Sequence, residues 1–296
     1  MRFTDIPEEE LDQPSWKTVL KMIRNTALLL FHDRVGIVLG SAFVLLMVWG
    51  PEGTVPLLRK AATAWQPSCV PGVDPGCVLP RPDPMMLVPW DQEWLSFLIG
   101  LLLLVAIPMV IIKAVLKQRW SDYGLGLPPR DRWSLTAISA LLLLLPSLLL
   151  FWLGARDPEM QREYPLYHGR FESLGQFAVY QLGYLAFFVV IEFIFRGYLL
   201  FGLYRARDTE VLRGVTGVPG PLVFGSYAVF LSMLSYTAWH LSKPVAEAWG
   251  TLAWGIATGA IALATGTIWH IVLVHWLLNV FLDYLILMRS GGPGIG

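Results

Sequence analysis

Long apolar segments dominate this sequence, and they constrain its fold more than any other feature. The clearest runs from residue 95 to 116 and reads LSFLIGLLLLVAIPMVIIKAVL. A helix needs about 20 apolar residues to cross the hydrocarbon core of a bilayer. About seven segments meet this description, at 33–50, 93–116, 133–154, 174–204, 222–241, 247–265 and 267–288. We therefore predict an all-α, polytopic membrane helix bundle with about seven transmembrane helices.

The composition agrees with a surface that faces lipid. Hydrophobic residues make up 55% of the chain and charged residues 15%, whereas an ordinary soluble domain carries about 25% charged residues. The formal net charge is zero, so the composition does not favour a polyanionic partner. We expect the lipid bilayer as a partner and no nucleic acid.

The segment before the first span alternates basic and apolar residues at helical spacing. It reads SWKTVLKMIRNTALLLF, from residue 15 to 31. This pattern is typical of an amphipathic helix that lies in the membrane interface, and an eighth, shallow span would also fit here. The distribution of Lys and Arg among the connecting segments favours a cytoplasmic N-terminus in a cell (inner or plasma) membrane.

Both cysteines, Cys69 and Cys77, fall between the first two predicted spans, in the stretch CVPGVDPGC. With a cytoplasmic N-terminus this loop is external. A disulfide suits an oxidising compartment, and two free thiols are the alternative.

Ionisable residues within the predicted spans are few and concentrate in the C-terminal half. Such groups are costly in lipid and are functional candidates by default. Glu192 and Arg196 are four residues apart in the fourth span, so they share a helix face and can form an ion pair. His240 stands at the end of the fifth span.

A second set of polar residues lies on the last span. His275, Asn279 and Asp283 follow each other at intervals of four, which places all three on one helix face. Together with Glu192 and His240, such groups can activate water, stabilise an oxyanion, bind zinc or line a transport path. The spacing leaves hydrolysis, metal binding and transport open, and we rank transport last because no internal repeat is visible.

Three segments resemble the motifs of the CPBP family, the CAAX-protease and bacteriocin-processing intramembrane proteases. IEFIFRG at 191–197 is similar to the Glu-Glu-x-x-x-Arg motif, and the run from Tyr236 to His240 is similar to Phe-x-x-x-His. GIATGAIALATGTIWHIVLVHWLLN at 255–279 resembles the Gly-rich span and the His-x-x-x-Asn motif. With the upstream loop RWSDYGLGLPPRDRW, the resemblance covers roughly residues 117–288.

The chain accordingly divides into four parts. Residues 1–32 form an N-terminal cytoplasmic and interfacial segment, and residues 33–116 hold the first two transmembrane helices with the external cysteine loop. Residues 117–288 form the CPBP-like intramembrane protease domain, and residues 289–296 are a C-terminal tail.

The resemblance implies a glutamate-dependent intramembrane endopeptidase. We expect that it requires no metal and no other cofactor, with zinc as the alternative. By position, Glu192 is the candidate base, oriented by Arg196, and His240 shares in water activation. His275 and Asn279 hold the oxyanion. The implied substrates are membrane proteins or lipidated peptides, cut at a C-terminal tail, a leader or a sorting signal.

The sequence departs from the family pattern at the first motif glutamate, where it has Ile191. Adjacent residues differ by about 100° around a helix axis, so Glu192 fills that place only if the helix turns or bulges locally. We favour Glu192 as the base. The alternatives are that Asp283 supplies the missing carboxylate, or that the protein is a catalytically silent binding or immunity protein.

Overall fold

The computed structural model describes residues 15–49, 97–167, 171, 173–205 and 221–289. These residues form helices joined by short connections. The helices are α1 (Trp16–His32), α2 (Arg34–Trp49), α3 (Phe97–Val115), α4 (Trp133–Gly154), α5 (Pro158–Glu163), α6 (Leu174–Tyr204), α7 (Pro221–Trp239), α8 (Val245–Thr265) and α9 (Trp269–Arg289). The predicted external loop with Cys69 and Cys77 lies outside the described residues.

Helices occupy all seven segments that the sequence predicts to span the membrane. Among the described helices, five are long and apolar enough to cross a bilayer: α3, α4, α6, α8 and α9. The other two predicted spans correspond to α2, which is apolar but has 16 residues, and to α7, which has 19 residues. The prediction of an all-α membrane helix bundle is confirmed.

The amphipathic segment before the first span is also helical and forms α1. Its large apolar side chains Trp16, Leu20 and Ile23 are exposed. An interfacial helix places such a face in the lipid headgroup region. Its location in a membrane interface stays a prediction.

Helix α6 is the centre of the bundle. In its apolar window 78% of the residues are buried, against 11% for α4. It packs against α2, α3, α7, α8 and α9. The leucines of α4 include several exposed side chains, such as Leu142 and Leu150, as expected for a helix whose solvent is lipid. Polar groups on α6 are therefore surrounded by protein.

Helices α7 and α8 pack closely because two glycines of α8 lie in their interface. A Cβ atom added at Gly255 would lie 3.1 Å from the Cα atom of Met233, and one at Gly259 would lie 3.1 Å from a methyl group of Val229. Glycines four residues apart permit this approach of helix backbones. The contact fixes the end of α7, which precedes His240, beside the start of α8.

The loop between α3 and α4 holds the start of α9. Gly124 has a φ of 76°, a left-handed conformation that glycine adopts without strain, and its carbonyl accepts a hydrogen bond from the Ile268 backbone at 3.0 Å. Thr267 Oγ1 donates to the Gly126 carbonyl at 2.8 Å, and the Trp269 indole donates to the Leu125 carbonyl at 3.0 Å. These bonds fix the position at which α9 enters the bundle.

Candidate active site

Glu192 and Arg196 form a fully buried ion pair on α6. The Arg196 Nε atom lies 3.4 Å from Glu192 Oε2, and both side chains are 0% exposed. The predicted pairing is therefore confirmed. The same Nε donates a hydrogen bond to Thr258 Oγ1 on α8 at 3.0 Å, and the guanidinium carbon lies 3.9 Å from the centre of the Tyr236 ring. Contacts from α7 and α8 thus anchor the cation that holds Glu192.

His275 completes this group from the opposite helix, α9. Its Nδ1 atom lies 2.6 Å from Glu192 Oε1. The imidazole packs between Phe188 and Trp254, at ring-centre distances of 4.6 and 5.1 Å. Because its side chain remains 13% exposed, His275 is the more accessible member of the pair and Glu192 lies behind it.

Helix α6 changes its hydrogen-bonding pattern next to this pair. It is α-helical from Leu174 to Glu192 and continues as a π-helix from Phe193 to Phe201. A π-helical turn widens a helix and occurs frequently at functional sites. The helix thus departs from α geometry directly after Glu192. A local distortion is what Glu192 would need to take the place of the motif glutamate, which is absent at residue 191. Ile191 itself is buried, with 3% of its surface exposed.

His240 lies in the turn after α7, outside the helix. Its Nδ1 atom is 2.8 Å from the Tyr236 carbonyl oxygen, and its ring packs edge-on against Tyr236 at 4.4 Å. A carbonyl only accepts hydrogen bonds, so Nδ1 carries a proton and donates it to this oxygen. Burial lowers the pKa of His240 to about 4, so the imidazole is neutral near pH 7 and Nε2 has a free lone pair.

Asn279 and Asp283 continue the polar face of α9. The Asn279 amide donates a hydrogen bond to the His275 carbonyl at 3.0 Å, one turn back on the same helix. Asp283 is fully buried and accepts a hydrogen bond from Gln181 of α6 at 2.7 Å. Asp283 is thus engaged with Gln181, two helical turns beyond His275.

The structure joins these residues into one polar region with two parts. The first contains Glu192, Arg196 and His275, with Asn279 one turn away. The second contains His240 and its neighbours in the turn between α7 and α8. Tyr236 connects the two parts, because its ring contacts both the Arg196 guanidinium and the His240 imidazole.

Sequence reasoning missed Glu247, in the first turn of α8. Its Oε1 atom lies 3.7 Å from His240 Nε2 and accepts a hydrogen bond from the Tyr164 hydroxyl at 2.8 Å. An acidic residue in a first helical turn is favoured by the helix dipole, so its position alone did not mark it as functional. The available signal was an acid at the edge of an apolar span, close in sequence to His240.

Metal-ligating side chains do not form a cluster of three or more in the described part of the chain. The groups gathered here are two imidazoles, two carboxylates, a guanidinium and a carboxamide. Imidazole and carboxylate groups transfer protons, and imidazole and amide N–H groups stabilise developing negative charge on oxygen. The arrangement therefore contains the functional groups that hydrolysis of an acyl bond requires.

Comparison with known proteins agrees with this chemistry. Residues 174–281 match the family model described as Rce1-like, type II CAAX prenyl endopeptidase Rce1-like. No curated protein and no solved structure shows significant similarity to the chain. The matched range includes α6 to α9 almost completely and contains all five predicted site residues. The chain is a multi-pass membrane protein whose residues 174–281 match the Rce1-like family model of type II CAAX prenyl endopeptidases.

Proposed function

We propose that this protein is an intramembrane endopeptidase that hydrolyses a peptide bond in a membrane-embedded or membrane-proximal substrate. One observation carries the proposal: Glu192 and His275, from different helices, meet at 2.6 Å inside the bundle. Burying a carboxylate and a guanidinium together costs free energy unless both are compensated. A catalytic site would explain why the costly pair of Glu192 and Arg196 is buried beside the imidazole of His275.

The oxyanion role falls to His275 and Asn279. Glu192 holds the His275 ring in one orientation through Nδ1, which leaves Nε2 available to donate to the oxyanion. The Asn279 amide supplies a second donor once it exchanges its bond to the His275 carbonyl for one to the substrate. Each donor of this kind contributes about 10²- to 10³-fold to kcat.

Glu192 accordingly becomes a positioning residue in this proposal and is no longer the base. Its Oε1 atom is engaged by His275, and its side chain is fully buried behind that ring. Arg196 anchors it at the other oxygen. His240 takes part in activating the water molecule, because the lone pair on its Nε2 atom can accept a hydrogen bond from it.

The substrate class follows from where the site lies. The site residues are carried by α6, α8, α9 and the turn after α7, and three of these helices are long and apolar enough to span a bilayer. A peptide reaches such a site from the lipid or from the membrane surface. We therefore propose a membrane protein or a lipidated peptide as the substrate, cut at a C-terminal tail, a leader or a sorting signal. No nucleic acid is involved.

The proposed location is the cell (inner or plasma) membrane, with a cytoplasmic N-terminus. The support is the distribution of Lys and Arg in the sequence and the positive-inside rule. Fusion of a reporter enzyme to the N-terminus, read on both sides of the membrane, tests this orientation.

The function is tested by comparing the termini of membrane and secreted proteins in the native host. Strains would carry wild type, Glu192→Gln, His275→Ala or the control Leu277→Ala, whose side chain is exposed on the same helix as His275. We expect one set of cleaved termini to vanish in the first two variants and to persist in the control.

Identical termini in all four strains would contradict the endopeptidase proposal. If a gene deletion still had a phenotype in that case, the catalytically silent binding or immunity protein would be the better explanation. The replacement of the first motif glutamate by Ile191 would then mark the loss of hydrolysis.

A further inference from the structure

Helix α8 supplies a carboxylate to His240 that the family motif does not contain. The motif places its first glutamate at residue 191, where this chain has a buried isoleucine. Glu247 Oε1 lies 3.7 Å from His240 Nε2, and the two side chains are 16% and 11% exposed. A carboxylate therefore accompanies the water-activating histidine, although it comes from another helix.

The placement of the protons on His240 and Glu247 favours a water molecule that bridges the two side chains. His240 donates from Nδ1 to the Tyr236 carbonyl, so Nε2 of the neutral ring is an acceptor, as is each oxygen of the carboxylate. Two acceptors repel each other, and 3.7 Å exceeds the length of a direct hydrogen bond. A water molecule that donates one hydrogen to each acceptor satisfies both.

A network around Glu247 fixes the carboxylate and leaves one oxygen available. The Tyr164 hydroxyl donates to Oε1 at 2.8 Å. Within the described part of the chain, Oε2 is buried and has no hydrogen-bond partner. Lys243, in the preceding turn, pairs with Glu163 and also acts electrostatically on Glu247. The Tyr164 hydroxyl thus fixes the position of the Glu247 carboxylate.

The Glu247–His240 pair lies beside the groups assigned to the oxyanion. Tyr236 packs against His240 on one side and against the guanidinium of Arg196 on the other. His240 is also near enough to His275 and Arg196 to interact with them electrostatically. Water held by this pair therefore lies in the same polar region as His275 and Arg196.

We propose that Glu247 and His240 together bind the nucleophilic water and that Glu247 is the base, in place of the absent carboxylate at residue 191. This inference rests on the proposed endopeptidase function. Glu247 takes one proton from the water while the oxygen forms a bond to the scissile carbonyl carbon. The carbonyl electron pair moves to its oxygen, which accepts hydrogen bonds from His275 and Asn279.

Collapse of this tetrahedral intermediate completes the reaction. The electron pair returns to re-form the carbonyl, and the bond between carbon and nitrogen breaks. The departing nitrogen takes the proton from Glu247, which regenerates the carboxylate. The products are one carboxylic acid and one amine, so one water molecule is consumed and no other reactant is needed.

The test uses Glu247→Gln, which keeps the size of the side chain and can still accept a hydrogen bond from Tyr164. Membranes from a deletion strain of the native host are the probe. Purified wild-type or variant protein is added, and the initial rate at which the wild-type cleaved termini form is measured by mass spectrometry. We expect the rate to fall about 10²- to 10⁴-fold, the usual contribution of general base catalysis, with an unchanged unfolding temperature.

Glu159→Gln is the matched control, because it removes an exposed carboxylate of α5 that lies outside the network around Glu247. Its rate is expected to stay within about threefold of wild type, as is typical of surface substitutions. A Glu247→Gln rate within the same range, with His275→Ala inactive, overturns the role of Glu247 and leaves the endopeptidase function standing. Absence of cleaved termini with wild-type protein would instead refute the endopeptidase function itself.

If Glu247→Gln does not fold, Glu247→Asp decides the question. It keeps the charge but retracts the carboxylate by one methylene group. If Glu247 is the base, the shorter side chain no longer reaches the water, and kcat should fall about tenfold or more at an unchanged KM. A kcat equal to that of wild type overturns the proposal.

Discussion

The Nδ1 atom of His275 lies 2.6 Å from the Oε1 atom of Glu192, although the two residues are 83 positions apart in the sequence. This contact joins α6 to α9 inside the bundle. Since Glu192 is also paired with Arg196, one carboxylate connects a guanidinium on its own helix to an imidazole on another. Replacing any of the three residues should therefore affect the other two.

The buried ion pair predicts non-additive effects on stability. Glu192→Gln or Arg196→Met alone leaves an uncompensated charge at a position with 0% exposure, and each should lower the free energy of unfolding by about 3–5 kcal/mol. The double variant removes both charges and should lose less than the sum of the two. Thermal unfolding in detergent measures the three values. Strictly additive losses would contradict a coupled pair.

Removal of the accessible imidazole should abolish cleavage without unfolding the protein. His275→Ala is expected to lower kcat about 10²- to 10³-fold, because the proposed mechanism assigns an oxyanion donor to this ring, which packs between Phe188 and Trp254. Leu277→Ala, on the exposed side of α9, should retain activity. Equal activity of both variants would remove His275 from the catalytic machinery.

The carboxamide of Asn279 should contribute to turnover more than to substrate binding. It is buried and donates to the His275 carbonyl in the absence of substrate. Asn279→Ala should reduce kcat about 10²- to 10³-fold, the usual loss for one oxyanion donor, while KM changes little. Steady-state kinetics separate these two constants. A raised KM with unchanged kcat would indicate a binding role instead.

The close packing of α7 on α8 predicts that Gly255→Ala is destabilising. The added Cβ atom would lie 2.8 Å from Met233 Cγ and 3.1 Å from its Cα, so the two helices must separate. We expect a loss of about 1–3 kcal/mol, as for other overpacked sites, and lower activity because His240 follows α7. Gly250→Ala is the control, since nothing lies within 4 Å of its added Cβ. An equal loss in both variants would contradict this explanation.

Burial of His240 predicts activity that persists at acidic pH. Its pKa is lowered to about 4 by burial, so Nε2 binds a proton only as the pH falls through that value, well below the ordinary pKa of about 6.5. Lys243, Arg196 and His275 act on it electrostatically, and Glu247 lies 3.7 Å from its Nε2 atom. The acidic limb of the kcat/KM profile should therefore lie below 6.5. An acidic limb at pH 6.5 that is absent from the profile of His240→Gln would contradict the lowered pKa of His240.

Several features of the fold could be predicted because they depend on local pattern alone. Apolar length located the helices that are long and apolar enough to cross a bilayer. A spacing of four residues predicted the pairing of Glu192 with Arg196. The same spacing placed His275, Asn279 and Asp283 on one face of α9, and the structure shows Asp283 and His275 contacting α6 from that face. The glycines of α8 likewise indicated close packing.

Apolar length and helical periodicity are properties of short stretches of chain, so the amino-acid sequence was sufficient to predict a helical membrane fold and the set of costly polar residues. Which polar groups meet was decided only by tertiary structure. Glu192 faces His275, and Glu247 faces His240 across the turn between α7 and α8. These contacts depend on helix packing and on the π-helical segment after Glu192, and neither can be read from the spacing of residues along one helix.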